Sequence, residues 1–341
     1  MNFLIKGLSL FIIFFIGCSD IKNNKENDEI ELLRLLDEDS ATGLDGFDDG
    51  GLVDLEYATG LELFGASKIL GDTLNYREGY RVRYGRRIIN HDRTVDFSIE
   101  EDSALGVISY NLNGTFVVQV RDTFTMDIID SIGFSKDFSS FMKRKVKFVR
   151  TFNQNSPDGY IWRISAMTPL VGFSGDKVSL SSLNMFSVAA STDSINGIIV
   201  EEGNLLFALN SSEISDLFLD RDDLPTFDAF QHIMLKIAVE NNGPEYALDS
   251  VGVGEWVINR YGRSRYQRGR RKLNDKGIGL DEFLNDNIHA GLWRVHGPGL
   301  GQESRIFRSF FSIIDLATIF TEDGGYNCYT LSIPYKVTRP N

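Results

Sequence analysis

Past residue 79 the apolar residues fall on alternate positions, the period of a strand with one face buried. Tyr80-Arg81-Val82-Arg83-Tyr84 and Val95-Asp96-Phe97-Ser98-Ile99 both alternate in this way. Asn113-Gly114 separates Ile108-Ser109-Tyr110-Asn111-Leu112 from Phe116-Val117-Val118-Gln119-Val120, and Asn-Gly between two such runs predicts a hairpin turn. A further pair spans 145–150 and 160–164, with a turn over 153–159. Before this region the leucines of 55–70, with Phe64, Ala66 and Ile69, fall at helical spacing and predict one helix. Beyond Asp176 strand-like segments dominate, over 231–240, 249–259, 305–316 and 329–337.

The first eighteen residues differ from the rest. Met1 to Lys6 is short and basic, Leu8 to Ile16 is apolar, and Phe15-Ile16-Gly17-Cys18 follows. This is the anatomy of a secretory signal, and its apolar run falls well short of the ~20 residues that span a bilayer. Phe15-Ile16-Gly17-Cys18 resembles the lipobox of bacterial lipoproteins. The resemblance implies cleavage before Cys18, lipidation of its thiol, and a cell-envelope location, outer membrane by preference, on its periplasmic or surface face. Residues 19–29 are mainly Asn, Lys, Asp and Glu and predict a flexible tether, with 31–36 able to form a marginal helical turn or two.

Two further resemblances concern fold. Phe148-Val149-Arg150, a turn, and Trp162-Arg163-Ile164 resemble the last hairpin of NTF2-like or cystatin-like domains. Arg271-Lys272-Leu273-Asn274-Asp275-Lys276-Gly277, followed by Asp281, Asp286 and Ala290-Gly291-Leu292-Trp293, resembles the Asp/Gly-rich strand-loop-strand of Ig-like domains in bacterial envelope proteins. In this chain Asn274 replaces the first aspartate of that pattern and Lys276 stands before the glycine. The expected fold is therefore mainly β. Its parts would be a signal (1–17), an acidic tether (18–52), an α+β domain with a helix on an antiparallel meander (53–175), and an Ig-like antiparallel β-sandwich (176–341).

Composition narrows function more than it defines it. Cleavage at Cys18 leaves roughly 320 residues, enough for two ordinary domains. A formal charge of −13 argues against nucleic acid as a partner. Cys18 and Cys328 are the two cysteines, so lipidation of the first leaves Cys328 no disulfide partner within the chain. It reads as a small buried hydrophobe.

No catalytic motif emerges. Gly-x-Ser-x-Gly and His-Glu-x-x-His are absent. Ser140-Phe141-Met142-Lys143 matches Ser-x-x-Lys, but no Lys-Thr-Gly accompanies it. His91, His232, His289 and His296 read as structural or surface residues. The paired acids at 100–102, 201–202 and 220–223 read as solvated turns. The acidic stretch at 37–54 suggests Ca²⁺: with Asp45 as first ligand, Asp49, Gly50 and Glu56 fall on EF-hand positions five, six and twelve. Phe47 occupies the third, where an oxygen is needed, so a solvated acidic linker is the preferred reading and no cofactor is expected.

The sharpest feature is the run from Arg260 to Lys272. Arg260, Arg263, Arg265, Arg268, Arg270, Arg271 and Lys272 stand with Tyr261 and Tyr266 and no acid among them. Guanidinium groups bind phosphate and carboxylate bidentately and tyrosines stack on sugars, so the run suggests a contact with a polyanionic glycan, lipid headgroups or an envelope protein. Edge protection of a sheet and internal pairing are the plainer alternatives. Arg81, Arg83, Arg86, Arg87 and Arg93 form a looser second set. The sequence thus suggests a lipid-anchored, non-catalytic binding or scaffolding protein, with a glycan or ester hydrolase as the alternative. An enzyme would set converging acids beside an exposed Trp162 or Trp293.

Overall fold

A computed structural model describes residues 17–44, 47, 54–57, 80–122, 124–125, 127–128, 133–157, 159–193, 197–248, 251–262, 268–322 and 325–340. The protein is mainly β, at 62% strand and 7% helix. One helix, α1 (Gly17–Glu38), precedes β1 (Asp54–Tyr57), β2 (Tyr80–Ile99), β3 (Ser103–Asp122), β4 (Phe134–Phe152), β5 (Tyr160–Met167) and β6 (Leu170–Ser174). There follow β7 (Val178–Asp193), β8 (Gly197–Asn210), β9 (Leu219–Asp220), β10 (Thr226–Asp228), β11 (His232–Asn241), β12 (Tyr246–Leu248) and β13 (Val251–Val253). The chain closes with β14 (Glu255–Gly262), β15 (Arg268–Lys272), β16 (Ile288–Arg294), β17 (Ser304–Asp315), the single turn α2 (Ala317–Phe320) and β18 (Cys328–Thr338).

One long sheet runs in the order β1-β2-β3-β4-β6-β18-β17-β14-β15, and a four-stranded sheet runs β16-β11-β7-β8. Among the described residues pairing is antiparallel apart from β10, which lies parallel to β18. The long sheet crosses the boundary expected at 175/176, because β6 pairs with β18 through Leu170↔Ser332 to Ser174↔Cys328.

The Asn113-Gly114 turn is not there. Both residues lie within β3, whose 20 residues carry a burial alternation unbroken through Gly114. The glycine answers a different need. The register of β2 shifts between Ile88 and Asn90, and a Cβ on Gly114 would stand 2.1 Å from the carbonyl oxygen of Arg87. The bulge brings backbone against backbone, and glycine alone fits.

Residues 17–38, expected as a tether with a marginal helical end, form one helix. Asp28, Leu32 and Leu36 recur every fourth residue and share its buried face. The carboxylate of Asp28 accepts from Trp162 Nε1 at 2.7 Å and pairs with Arg150 at 2.6 Å, so tertiary contacts hold a helix of modest propensity. Of the helix expected over 55–70, residues 54–57 are strand and 58–79 lie outside the described residues.

Two cores result. The first gathers the inner faces of β2, β3 and β4 with α1 and with Trp256, Ile258, Phe310 and Ile314. Tyr84 of β2 meets Trp256 of β14 at 5.7 Å between ring centroids, so the long sheet curls over itself. The second lies between the four-stranded sheet and the opposite faces of β14, β17 and β18. It is built from Leu183, Met185, Ile233, Leu235 and Trp293 on one side and Val257, Phe311, Ile313, Leu331 and Tyr335 on the other. Because β14 and β17 alternate between the cores, they are apolar on both faces.

Candidate functional site

The basic run divides when placed on the fold. Arg260 is buried and donates from Nη1 to Ser312 Oγ at 2.8 Å. Lys272 is half-buried as a residue, but its ammonium lies 3.7 Å from the centre of the Trp256 ring, and desolvation, helped by Lys276, lowers its pKa well below the ordinary value. Arg270 opposes Arg260 across the β14–β15 ladder and is half-buried, while Arg271 is exposed. Arg263, Arg265 and Tyr266 lie outside the described residues, as does the side chain of Arg268. β15 is the outermost strand of the long sheet, so the exposed part of the run stands on a sheet edge. In the second basic set, Arg86 lies 3.4 Å over the Phe47 ring and Arg93 pairs with Asp37 at 2.7 Å.

Asp45 and Asp49 fall outside the described residues, as does the side chain of Glu56, whose backbone belongs to β1. Cys18 lies in the first turn of α1, and Cys328 is buried and free. Trp162 and Trp293 are both buried, the former on Asp28 and the latter among Phe227, Tyr261 and Tyr335. Ser140 and Lys143 sit on the long strand β4, not at the start of a helix.

The structure brings together a group that the sequence leaves scattered. At one end of the second core, Glu255 of β14, His289 of β16 and Asp275 of the connection between β15 and β16 each offer a ligand atom, and these atoms lie within 4.8 Å of one another. Asp275, Asp281 and Asp286 form a second such group around the shared aspartate. Glu255 and His289 are each 2% exposed and Asp275 is 7% exposed.

Local chain chemistry explains the placement. Glu255 is the first residue of β14, opposite Asp315, and faces the four-stranded sheet as Val257 does. His289 opposes Ile237 on β11, whose side chain belongs to the same core. The two Asp275 oxygens accept the backbone N–H groups of Asp286 and Asn287, each at 3.1 Å. Asp281 accepts from the Gly277 N–H at 2.6 Å. These bonds fold the connection into a stapled loop on which Ile278, Phe283 and Leu284 stand exposed at 63%, 64% and 51%.

The charges at this end are mostly negative. Desolvation raises the pKa of Asp275, Asp281 and Asp315. Glu255 is also desolvated, but hydrogen bonds and charge from His289, with the Asn241 amide at 2.8 Å, bring its pKa below the ordinary value and keep it ionised. His289 Nε2 and Glu255 Oε1 are 2.8 Å apart, and His289 Nδ1 has no hydrogen-bond partner. Asp315, wholly buried, has no donor at full hydrogen-bonding geometry on either oxygen.

The sequence alone presents His289 as structural or surface, and Asp275, Asp281 and Asp286 as part of a fold resemblance or as partners for the arginine run. The clue it held was three aspartates and a histidine within one short stretch; nothing local joins Glu255 to them. No protein-family model, curated protein or solved structure matches the chain.

Proposed function

We propose that this is a lipid-anchored cell-envelope protein, held through Cys18, with a non-catalytic binding or scaffolding role. Its second half is an Ig-like sandwich, and its contact with a polyanionic glycan, lipid headgroups or a partner protein runs through the exposed part of the Arg260–Lys272 run. The observation that supports the reading is that β15 ends the strand order of the long sheet, with Arg271 exposed on it. Arg260 and Lys272 serve the interior, so binding falls to Arg263, Arg265, Tyr266, Arg268 and Arg271, with Arg270 beside them. The exposed Ile278, Phe283 and Leu284 give the same half an apolar contact besides the basic one.

The test is binding of the detergent-solubilised full chain to lipopolysaccharide and to polyphosphate at low and high salt. The control carries Arg265→Ser, Arg268→Ser and Arg271→Ser. Binding should weaken as salt rises and fall at least tenfold in the control. Equal binding by both forms refutes the basic-edge reading.

A further inference from the structure

We infer that Asp275 and His289 bind one divalent transition cation of the Zn²⁺ or Mn²⁺ class, with Glu255 as the positioning residue behind the histidine. This stands apart from the proposed function and depends on no ligand at the basic edge.

One hydrogen lies between His289 and Glu255. A carboxylate only accepts, so the short contact at Nε2 puts a hydrogen on that nitrogen and leaves Nδ1 as the ring atom free to meet a cation. That nitrogen is buried without a hydrogen-bond partner, which costs free energy in a protein interior unless something meets it. A histidine that donates one ring N–H to a carboxylate and points the other nitrogen at a metal is the usual arrangement behind a protein-bound cation.

The surroundings supply the remaining ligands. Asp275 is the residue common to both groups of ligand atoms, so His289, Asp281 and Asp286 each bring a ligand atom within 4.8 Å of its carboxylate. Its two backbone hydrogen bonds, at 3.1 Å each, use one lone pair on each oxygen and leave the other. Asp286 is exposed and gives the site a mouth to solvent. One imidazole among carboxylates suits Zn²⁺ or Mn²⁺, whereas carboxylates alone would suit Ca²⁺ or Mg²⁺. A dication also offsets the negative charge that Glu255 and the aspartates concentrate in a desolvated place.

The test uses the full chain in detergent, stripped with EDTA and titrated calorimetrically with ZnCl₂, MnCl₂ and CaCl₂. Visible absorption of the Co²⁺-loaded protein gives a second readout. One transition cation should bind per chain. Glu255→Gln should weaken it about 10–100-fold by loosening the histidine, and His289→Gln should abolish the imidazole-dependent Co²⁺ bands. Asp275→Asn should also lose the ion. Because Asp275 staples the loop, His289→Gln, which removes one side-chain bond, is the decisive variant, with far-UV circular dichroism confirming its fold. Two results overturn the inference: wild-type protein that takes up none of the three cations, or a cation held equally well by wild type and His289→Gln.

Discussion

The two cores bury polar groups in opposite ways. In the curled half buried arginines are answered by backbone carbonyls, and the buried Asp28 by Arg150 and Trp162. The segment after α1 threads the interior, where Arg144 Nη1 donates to Ala41 O at 2.5 Å, Arg308 Nη1 to Gly43 O at 2.5 Å, and Tyr110 Oη to Thr42 O at 3.3 Å. Burial lowers the pKa of Arg144 only to about 10, so it stays charged at neutral pH. At the end of the two-sheet half the buried charges are anions crowded around one imidazole, and a ring nitrogen is left without a partner. The first arrangement ties the segment after α1 to β3, β4 and β17 and reads as architecture. The second is open by one ligand and reads as chemistry.

The largest expected effect probes whether the two cores are one cooperative unit. Trp293→Ala empties a fully buried site packed against Phe227, Tyr261 and Tyr335 and should cost about 4 kcal/mol. Since β14, β17 and β18 belong to both cores, urea unfolding followed by hydrogen exchange should show the curled half losing protection with the other. Independent transitions would separate the halves. A smaller effect tests the arginine cage: Arg144→Ala strips Ala41 O of its donor and should cost about 3 kcal/mol, read from the same unfolding curves. An unchanged midpoint would make the cage incidental.

The smallest effect concerns Lys272. Its folded pKa lies below the unfolded value of 10.5, so between the two the unfolded chain holds the extra proton and stability rises with pH. The buried tyrosines Tyr326 and Tyr335, whose pKa values are raised from 10.0, oppose this only at higher pH. Lys272→Met should flatten the rise below pH 10; a profile parallel to wild type would show that the ammonium is not desolvated.

Strand content was legible because alternation is local: the inward residues of β3, from Ile108 through Phe116 to Val120, can be picked out two by two. Strand order was not, because β6 finds β18 across more than 150 residues, a pairing that no neighbouring residue reports. Gly114 misled for a related reason. An Asn-Gly pair looks the same whether the glycine makes a turn or accommodates a bulge on the next strand. Asp28 likewise reads as one more polar residue until Arg150 and Trp162 are placed beside it. Of the buried cluster, the aspartates and His289 share one stretch of chain, while Glu255 joins them only through the facing of two sheets.

The central place of β18 constrains how the chain can be made. It lies between β6 and β17, so strands emerging early wait with a bare edge until residues 328–338 have been synthesised and have crossed any membrane on the way. During that interval β6 offers an unpaired apolar edge to any other nascent copy, and a holding chaperone in the compartment of folding would be of direct use. A stop codon just before Cys328 would therefore remove the strand that joins the two parts of the sheet, and the product would be expected to aggregate.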